Sequence, residues 1–271
     1  MSLPLPETTR NQSSTSIAAR HQRAKQRLLQ MHFESGVGHI GGNLSAIDLF
    51  LVLFHDIMHD QDQFILSKGH SAGAFYITLW SKGLISDDEL KTFHRDGTRL
   101  SGHPPAFGLD QILFATGSLG HGLGLAAGLA LAKKLRSEPG RVYCLMSDGE
   151  WNEGSNWESL IFARHHQLTN LTAVIDLNGM QGFGSTKEVA DLAPLVEKLS
   201  TFGVNTIEVD GHKPEKIAEA LRKPATDKPT FVVARTVKGN GVSYMQNRME
   251  WHYLPMNQEL YLQAMNEVND P

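Results

Sequence analysis

The chain has 271 residues, 41% of them hydrophobic and 20% charged, with a formal charge of -4; that length fits one large domain or two small ones, and one is favoured. This balance gives no basic footprint for nucleic acid, and no apolar run approaches the roughly 20 residues that span a bilayer. The single cysteine, Cys144, excludes an internal disulfide and a cysteine-rich zinc site, and its apolar setting in Val-Tyr-Cys-Leu-Met predicts a buried thiol.

Residues 1–14 are polar and proline-bearing, with no cationic segment leading into an apolar one. They read as a flexible leader before a single domain over 15–271, and a cytoplasmic location is expected. Ile17 to Phe33 carries apolar residues at helical spacing, and Ser35-Gly36 closes that helix. Ser45-Ala-Ile-Asp48 resembles a capping box, from which an apolar helix is expected to run to about Met58; Ser86 with Glu89 repeats the signal. From about Arg141 strands and helices alternate. Strands are predicted at Arg141–Met146, Leu171–Asp176, Asn205–Val209 and Thr230–Thr236, with helices at about Glu153–His166, Leu192–Phe202 and Pro214–Leu221. Short apolar strands separated by helices of about three turns predict an α/β fold, a three-layer αβα arrangement around a mainly parallel sheet. Val237–Tyr253 reads as a long glycine-containing loop before a final helix.

The carboxyl ends of neighbouring parallel strands open onto one crevice. Asp148 follows one strand and Asn178 the next, so both oxygen-bearing side chains are expected at one sheet edge. With a carbonyl from the turn Asn178-Gly179-Met180 they suit a hard cation such as Mg²⁺, while Gly149 would let backbone approach a phosphate. The implied ligand is a metal-bound diphosphate. Two other readings stay open at this point. Asp148 could cap a helix and Asn178-Gly179 form a plain turn. Gly122, Gly124 and Gly128 could open a nucleotide-binding helix, with Asp148 holding a ribose, although that leaves Asn178 and the Gly-His pairs without a role.

Asp148-Gly149, Glu153-Gly154, Glu158 and Asn178 resemble the thiamine diphosphate motif, with Ser147 in place of its usual first glycine. Ser-Gly-Val-Gly-His39, Ser67-Lys-Gly-His70, Ser-Gly-His103-Pro-Pro, Ala115-Thr-Gly-Ser-Leu-Gly-His-Gly and Met-Glu-Trp-His252-Tyr add matches in order along nearly the whole chain, and specifically resemble transketolase. The resemblance implies that Asp148, Asn178 and the Met180 carbonyl bind Mg²⁺, or Ca²⁺ or Mn²⁺ in its place. It implies thiamine diphosphate contacts at His70, Gly117, Ser118, Leu119, Asp148, Gly149, Glu153, Asn178 and His252, and catalytic roles for His39, His103 and His252 in holding sugar hydroxyls and moving protons. Glu153 and Glu158 resemble carboxylates at the interface between active sites. Lys238 lies in a segment that reads equally as a flexible loop or a diphosphate contact.

Transketolases are more than twice this length, and their second, pyrimidine-binding domain carries the glutamate that activates the cofactor. The resemblance therefore implies the N-terminal subunit of a two-chain transketolase. Its partner would be a separate C-terminal subunit carrying the pyrimidine-binding domain, in an α2β2 assembly that acts on sugar phosphates and engages neither nucleic acid nor membrane. A 2-oxo acid dehydrogenase α subunit would end its motif in Asn-Asn and lack the Gly-His series; 1-deoxyxylulose-5-phosphate synthase is normally one long chain. A truncated cofactor-binding scaffold is the non-enzymatic alternative.

Overall fold

The computed structural model describes residues 16–223 and 227–269; the expected leader lies outside them. Five strands, β1 (Gln63–Leu66), β2 (Val142–Ser147), β3 (Leu171–Leu177), β4 (Asn205–Asp210) and β5 (Thr230–Arg235), form one sheet in the order β1-β2-β3-β5-β4. Every pairing is parallel. The strands are too short to be stable alone and survive because both faces are covered.

Side-chain alternation sends neighbouring residues to opposite cores. Tyr143, Leu145, Val174 and Val232 pack into one core with α1 (Ile17–Ser35), α2 (Ile40–Val52), α3 (Ala72–Ser81), α9 (Pro214–Leu221) and α10 (Gln258–Asn269). Cys144, Met146, Ala173, Ile175 and Val233 pack into a second core with α5 (Gly122–Leu135), α6 (Gly154–His165) and α8 (Leu195–Thr201). The three-layer expectation is met. Cys144 is fully buried, and burial pushes its thiol well above the usual range. Two short helices, α4 (Asp87–Leu90) and α7 (Thr186–Ala190), complete the set; Ser86 caps α4 through the Glu89 N–H at 3.2 Å, as the sequence predicts.

Three expectations need correction. Ser45 caps nothing: it lies inside α2, fully buried, donating to the Gly42 carbonyl at 2.9 Å and to Asp176. The turn into α2 is made upstream, at His39, whose φ of 65° breaks the chain direction. Secondly, α2 runs on as a π-helical turn over Leu53–Ile57, so Ile40–Ile57 is an apolar helix of 18 residues, matching a membrane span in length and composition. It is 89% buried, and here it is the central core helix. Thirdly, the helix expected from Leu192 begins at Leu195. Pro194 disfavours helical backbone in the residue before it, which delays the start. The strand Gln63–Leu66 was not predicted; four residues after a polar turn carry too little pattern.

Candidate active site

The carboxyl ends of β1, β2, β3 and β5 open on one cavity of about 310 Å³. Its wall includes His39, His70, His103, Gly117, Leu119, Asp148, Gly149, Asn178, Met180 and His252. Two predicted residues are not part of it. Ser118 is exposed between Gly117 and Leu119. Glu153 is the exposed residue before α6, and its side chain packs at Gly120, where an added Cβ would lie 2.5 Å from the Glu153 Cβ.

The metal-binding expectation rests on two strand ends. Asp148 follows β2 and Asn178 follows β3, which pair in register from Val142↔Leu171 to Ser147↔Asp176. Asp148 Oδ1 accepts the Gly149 N–H at 2.8 Å and its Oδ2 the Gly179 N–H at 2.6 Å, so one carboxylate joins both turns. Asn178 Oδ1 accepts the Met180 N–H at 3.0 Å. Burial, with Asp176 close by, pushes the Asp148 carboxyl up to about 7 despite those donors and Lys68. A divalent cation would reverse that balance. Among the described residues no three His, Cys, Asp or Glu side chains come together as a metal site. The donor set is thus one carboxylate, one amide oxygen and backbone carbonyl, which suits Mg²⁺ with phosphate oxygens completing the shell.

The cavity also fits the diphosphate of the implied cofactor. Beside Gly149 an added Cβ would come 2.9 Å from the Gln181 side chain, so only glycine leaves room for backbone to meet a ligand. The Ser147 hydroxyl and the Gln181 Nε2 are buried, line the cavity and have no hydrogen-bond partner within the protein. Such groups call for a polar ligand. Two lysines face the same space. Lys68 pairs with Asp176, whereas Lys238 is 3.2 Å from His252 Nδ1, its ammonium lowered to about 8 by burial and by Lys68.

Four imidazoles cluster beyond the diphosphate end. Ring centroids are separated by 5.0 Å for His39 and His252, 5.8 Å for His39 and His103, 6.1 Å for His39 and His70, and 5.6 Å for His70 and His252. Burial lowers His39 to about 4, His252 to about 3 and His70 well below its usual value, and it lowers His103 as well. Each is therefore neutral at pH 7, with one nitrogen to donate and one to accept. That is the hydrogen-bonding capacity of a sugar hydroxyl.

Several supporting residues escaped sequence reasoning. Asn43 donates to the His39 carbonyl at 2.8 Å and the His70 carbonyl at 3.2 Å, and accepts the Ala74 N–H at 2.6 Å. Glu150, fully buried, accepts from Ser67 Oγ at 2.6 Å, Ser147 N at 2.8 Å and Gly120 N at 3.1 Å, tying three strand-end loops together. Asp176 accepts from Lys68, Ser45 and Thr236, and Asn178 Nδ2 lies 3.4 Å from its Oδ2. Burial works against ionisation of Asp176, but the Lys68 ammonium outweighs it and holds the carboxyl below its usual range. No local signal marks these residues. Their partners are up to 131 positions away.

Residues 22–267 match the family model described as transketolase, thiamine diphosphate binding domain. One of the two subunits of apulose-4-phosphate transketolase from Phocaeicola vulgatus is 35% identical over 266 residues, covering 94% of each chain. The 6-deoxy-6-sulfo-D-fructose transketolase subunit SqwG of a Clostridium species is 35% identical over 244 residues, covering 86% of this chain and 89% of that one. Human transketolase is 34% identical over 89% of this chain, which spans 40% of its length. Among solved structures, transketolase from Campylobacter jejuni superposes with a TM-score of 0.85 at 25% identity, covering 94% of this chain and 43% of that one.

Proposed function

This chain belongs to the transketolase thiamine diphosphate-binding family, and from that premise we propose that it is the cofactor-binding subunit of a two-chain transketolase. The family's reaction is thiamine diphosphate-dependent transfer of a ketol unit, and membership sets aside the 2-oxo acid dehydrogenase and nicotinamide readings. The observation that carries the assignment to this chain is one cavity holding Asp148, Gly149, Asn178 and Met180 at one end and four neutral histidines at the other. When bound, thiamine diphosphate supplies the carbanion chemistry for breaking and forming the bond beside a carbonyl. The residues of the chain do the rest. Asp148, Asn178 and the Met180 carbonyl hold Mg²⁺, Gly149 and Gly117 admit the diphosphate, and Lys238 offsets its charge. His39, His103 and His252 hold ketose and aldose hydroxyls and pass protons through their ring nitrogens.

A separate C-terminal subunit supplies the pyrimidine-binding half, in an α2β2 complex. Two facts support this. The chain spans 94% of a relative whose name makes it a transketolase subunit but 40% of human transketolase. Large apolar side chains also stand exposed at the cavity, Phe183 at 84% and Tyr253 at 53%, where a partner would cover them. The donor is a ketose phosphate and the acceptor an aldose phosphate. Calorimetry with Mg²⁺ and thiamine diphosphate on the chain co-expressed with the product of an adjacent reading frame tests the proposal. Saturable, metal-dependent binding is expected; its absence in the assembled complex overturns the cofactor assignment.

A further inference from the structure

The turn between β4 and α9 ends in His212, a residue given no part in the site above. Asp210 and Gly211 deliver it. The Gly211 N–H donates to the Arg235 carbonyl at 2.7 Å, and an added Cβ would lie 2.4 Å from Thr236 Cγ2, so this turn packs directly on the end of β5. The imidazole is then held at both nitrogens. Nδ1 lies 3.0 Å from Asp48 Oδ2, and Nε2 lies 2.8 Å from the Val237 nitrogen. A backbone N–H only donates, so Nε2 carries the lone pair and Nδ1 carries the proton given to Asp48.

Asp48 is a fixed anchor. It sits in α2, 2% exposed, and also accepts from His21 Nδ1 at 2.8 Å and Lys25 Nζ at 3.1 Å. Burial opposes its charge, but the hydrogen bonds from His21 and His212 and the Lys25 ammonium outweigh that and keep it ionised far below the usual carboxylate range. On the other side of the imidazole, Val237 precedes Lys238. The Lys238 backbone is closed from the far side as well: the Gly239 N–H donates to the Gly41 carbonyl at 2.9 Å and the Asn247 N–H to the Lys238 carbonyl at 3.0 Å. The direction in which Lys238 projects is thus set between His212 and α2.

We propose that His212 is a positioning residue: anchored on Asp48, it fixes the backbone at Val237 and thereby aims the Lys238 ammonium at the diphosphate position. The inference rests on the assignment of Lys238 as a diphosphate contact. His212 itself touches neither cavity nor ligand. Its contribution is directional, since loss of the Val237 acceptor frees the chain between Thr236 and Gly239 without removing any group from the site.

Two substitutions separate the two ends of the imidazole. His212→Gln places an amide oxygen near the position of Nε2 and gives up the bond to Asp48; His212→Asn keeps a donor near Nδ1 and gives up the bond to Val237. The full chain is followed by hydrogen–deuterium exchange over residues 236–240, by calorimetry with Mg²⁺ and inorganic pyrophosphate, and by thermal melting. His212→Asn is expected to speed exchange at Val237 at least tenfold and to weaken pyrophosphate about 5- to 10-fold, the loss typical of one misplaced hydrogen-bonding contact. His212→Gln keeps Val237 protected and pyrophosphate affinity within about twofold, while its melting temperature falls at least as far. If His212→Asn does not fold, His212→Phe, which keeps the ring and offers no acceptor, takes its place. Equal exchange and equal affinity in the two variants, or protection of Val237 in His212→Asn, overturns the proposal. A wild-type chain that binds no pyrophosphate sinks the diphosphate assignment instead, and the exchange data then decide the positioning role alone.

Discussion

Replacing Lys68 by methionine tests the electrostatic base of the site. The Lys68 and Asp176 side chains are 1% and 0% exposed, and the ammonium has no competing solvent. Removing it leaves Asp176 with the Ser45 and Thr236 hydroxyls but no counter-charge. An uncompensated buried charge of this kind costs about 3–5 kcal/mol, a large part of the 5–15 kcal/mol that domains typically have. The sign with pH follows from the direction of the shift. In the wild type the Asp176 carboxyl is held below its ordinary value, so its contribution is present above the unfolded pKa and is lost on acidification through the folded one. In Lys68→Met burial alone remains and raises it, so the penalty is full at neutral pH and shrinks as the pH falls into the carboxyl range. Urea melts of both proteins from pH 4.5 to 8 measure this. Lys68→Met/Asp176→Asn removes both charges and is expected to recover most of the loss. A single-variant loss under about 1 kcal/mol, one that does not narrow with acid, or no recovery in the double variant refutes the reasoning.

Other outcomes follow from the same geometry. Asp148→Ala and Asn178→Ala are each expected to abolish Mg²⁺-dependent retention of thiamine diphosphate in the complex, measured by calorimetry; unchanged binding at saturating metal removes that residue from the ligand set. Gly149→Ala forces its methyl against Gln181, 2.9 Å away, and is expected to weaken the cofactor more than tenfold with little change in melting temperature. His103→Ala should lower ketol-transfer kcat far more than it changes cofactor affinity, and equal losses would point to a structural role. His39 and His252 have folded values depressed to about 4 and 3, so they stay neutral from pH 6 to 9 and protonate only in acid. Their contribution to stability is lost as pH falls below the ordinary histidine range, and His39→Gln is expected to flatten the acid limb of a pH-dependent melt.

The part of the site that was legible in the sequence is the part that strand ends define. Asp148 and Asn178 each follow an apolar run, and parallel topology alone brings such positions to one edge. Motif matching added the histidines, which lie on separate loops with no shared local pattern. Ser118 and Glu153 mark the boundary of that approach. A motif gives the order of residues but not which neighbour faces the ligand, and here Gly117 and Leu119 line the cavity while Ser118 is exposed. Ser45 shows a related limit. Its local pattern is that of a helix cap, yet two helical glycines before it let α2 start earlier and close against Trp251, where a Gly41 Cβ would lie 3.2 Å from its carbonyl. Lys68, Asp176 and Asn43 were invisible because their meaning lies entirely in partners distant in sequence.

Asn43 joins two histidines that separate loops deliver to the same cavity. Its one amide group holds the carbonyls of both His39 and His70, so the placement of those two rings is a single variable rather than two. Laboratory selection for a new sugar therefore has an uneven landscape in this chain. Changes at the cavity wall can be accepted one at a time, whereas a change at Asn43 shifts both rings together and demands compensation on two loops in the same generation.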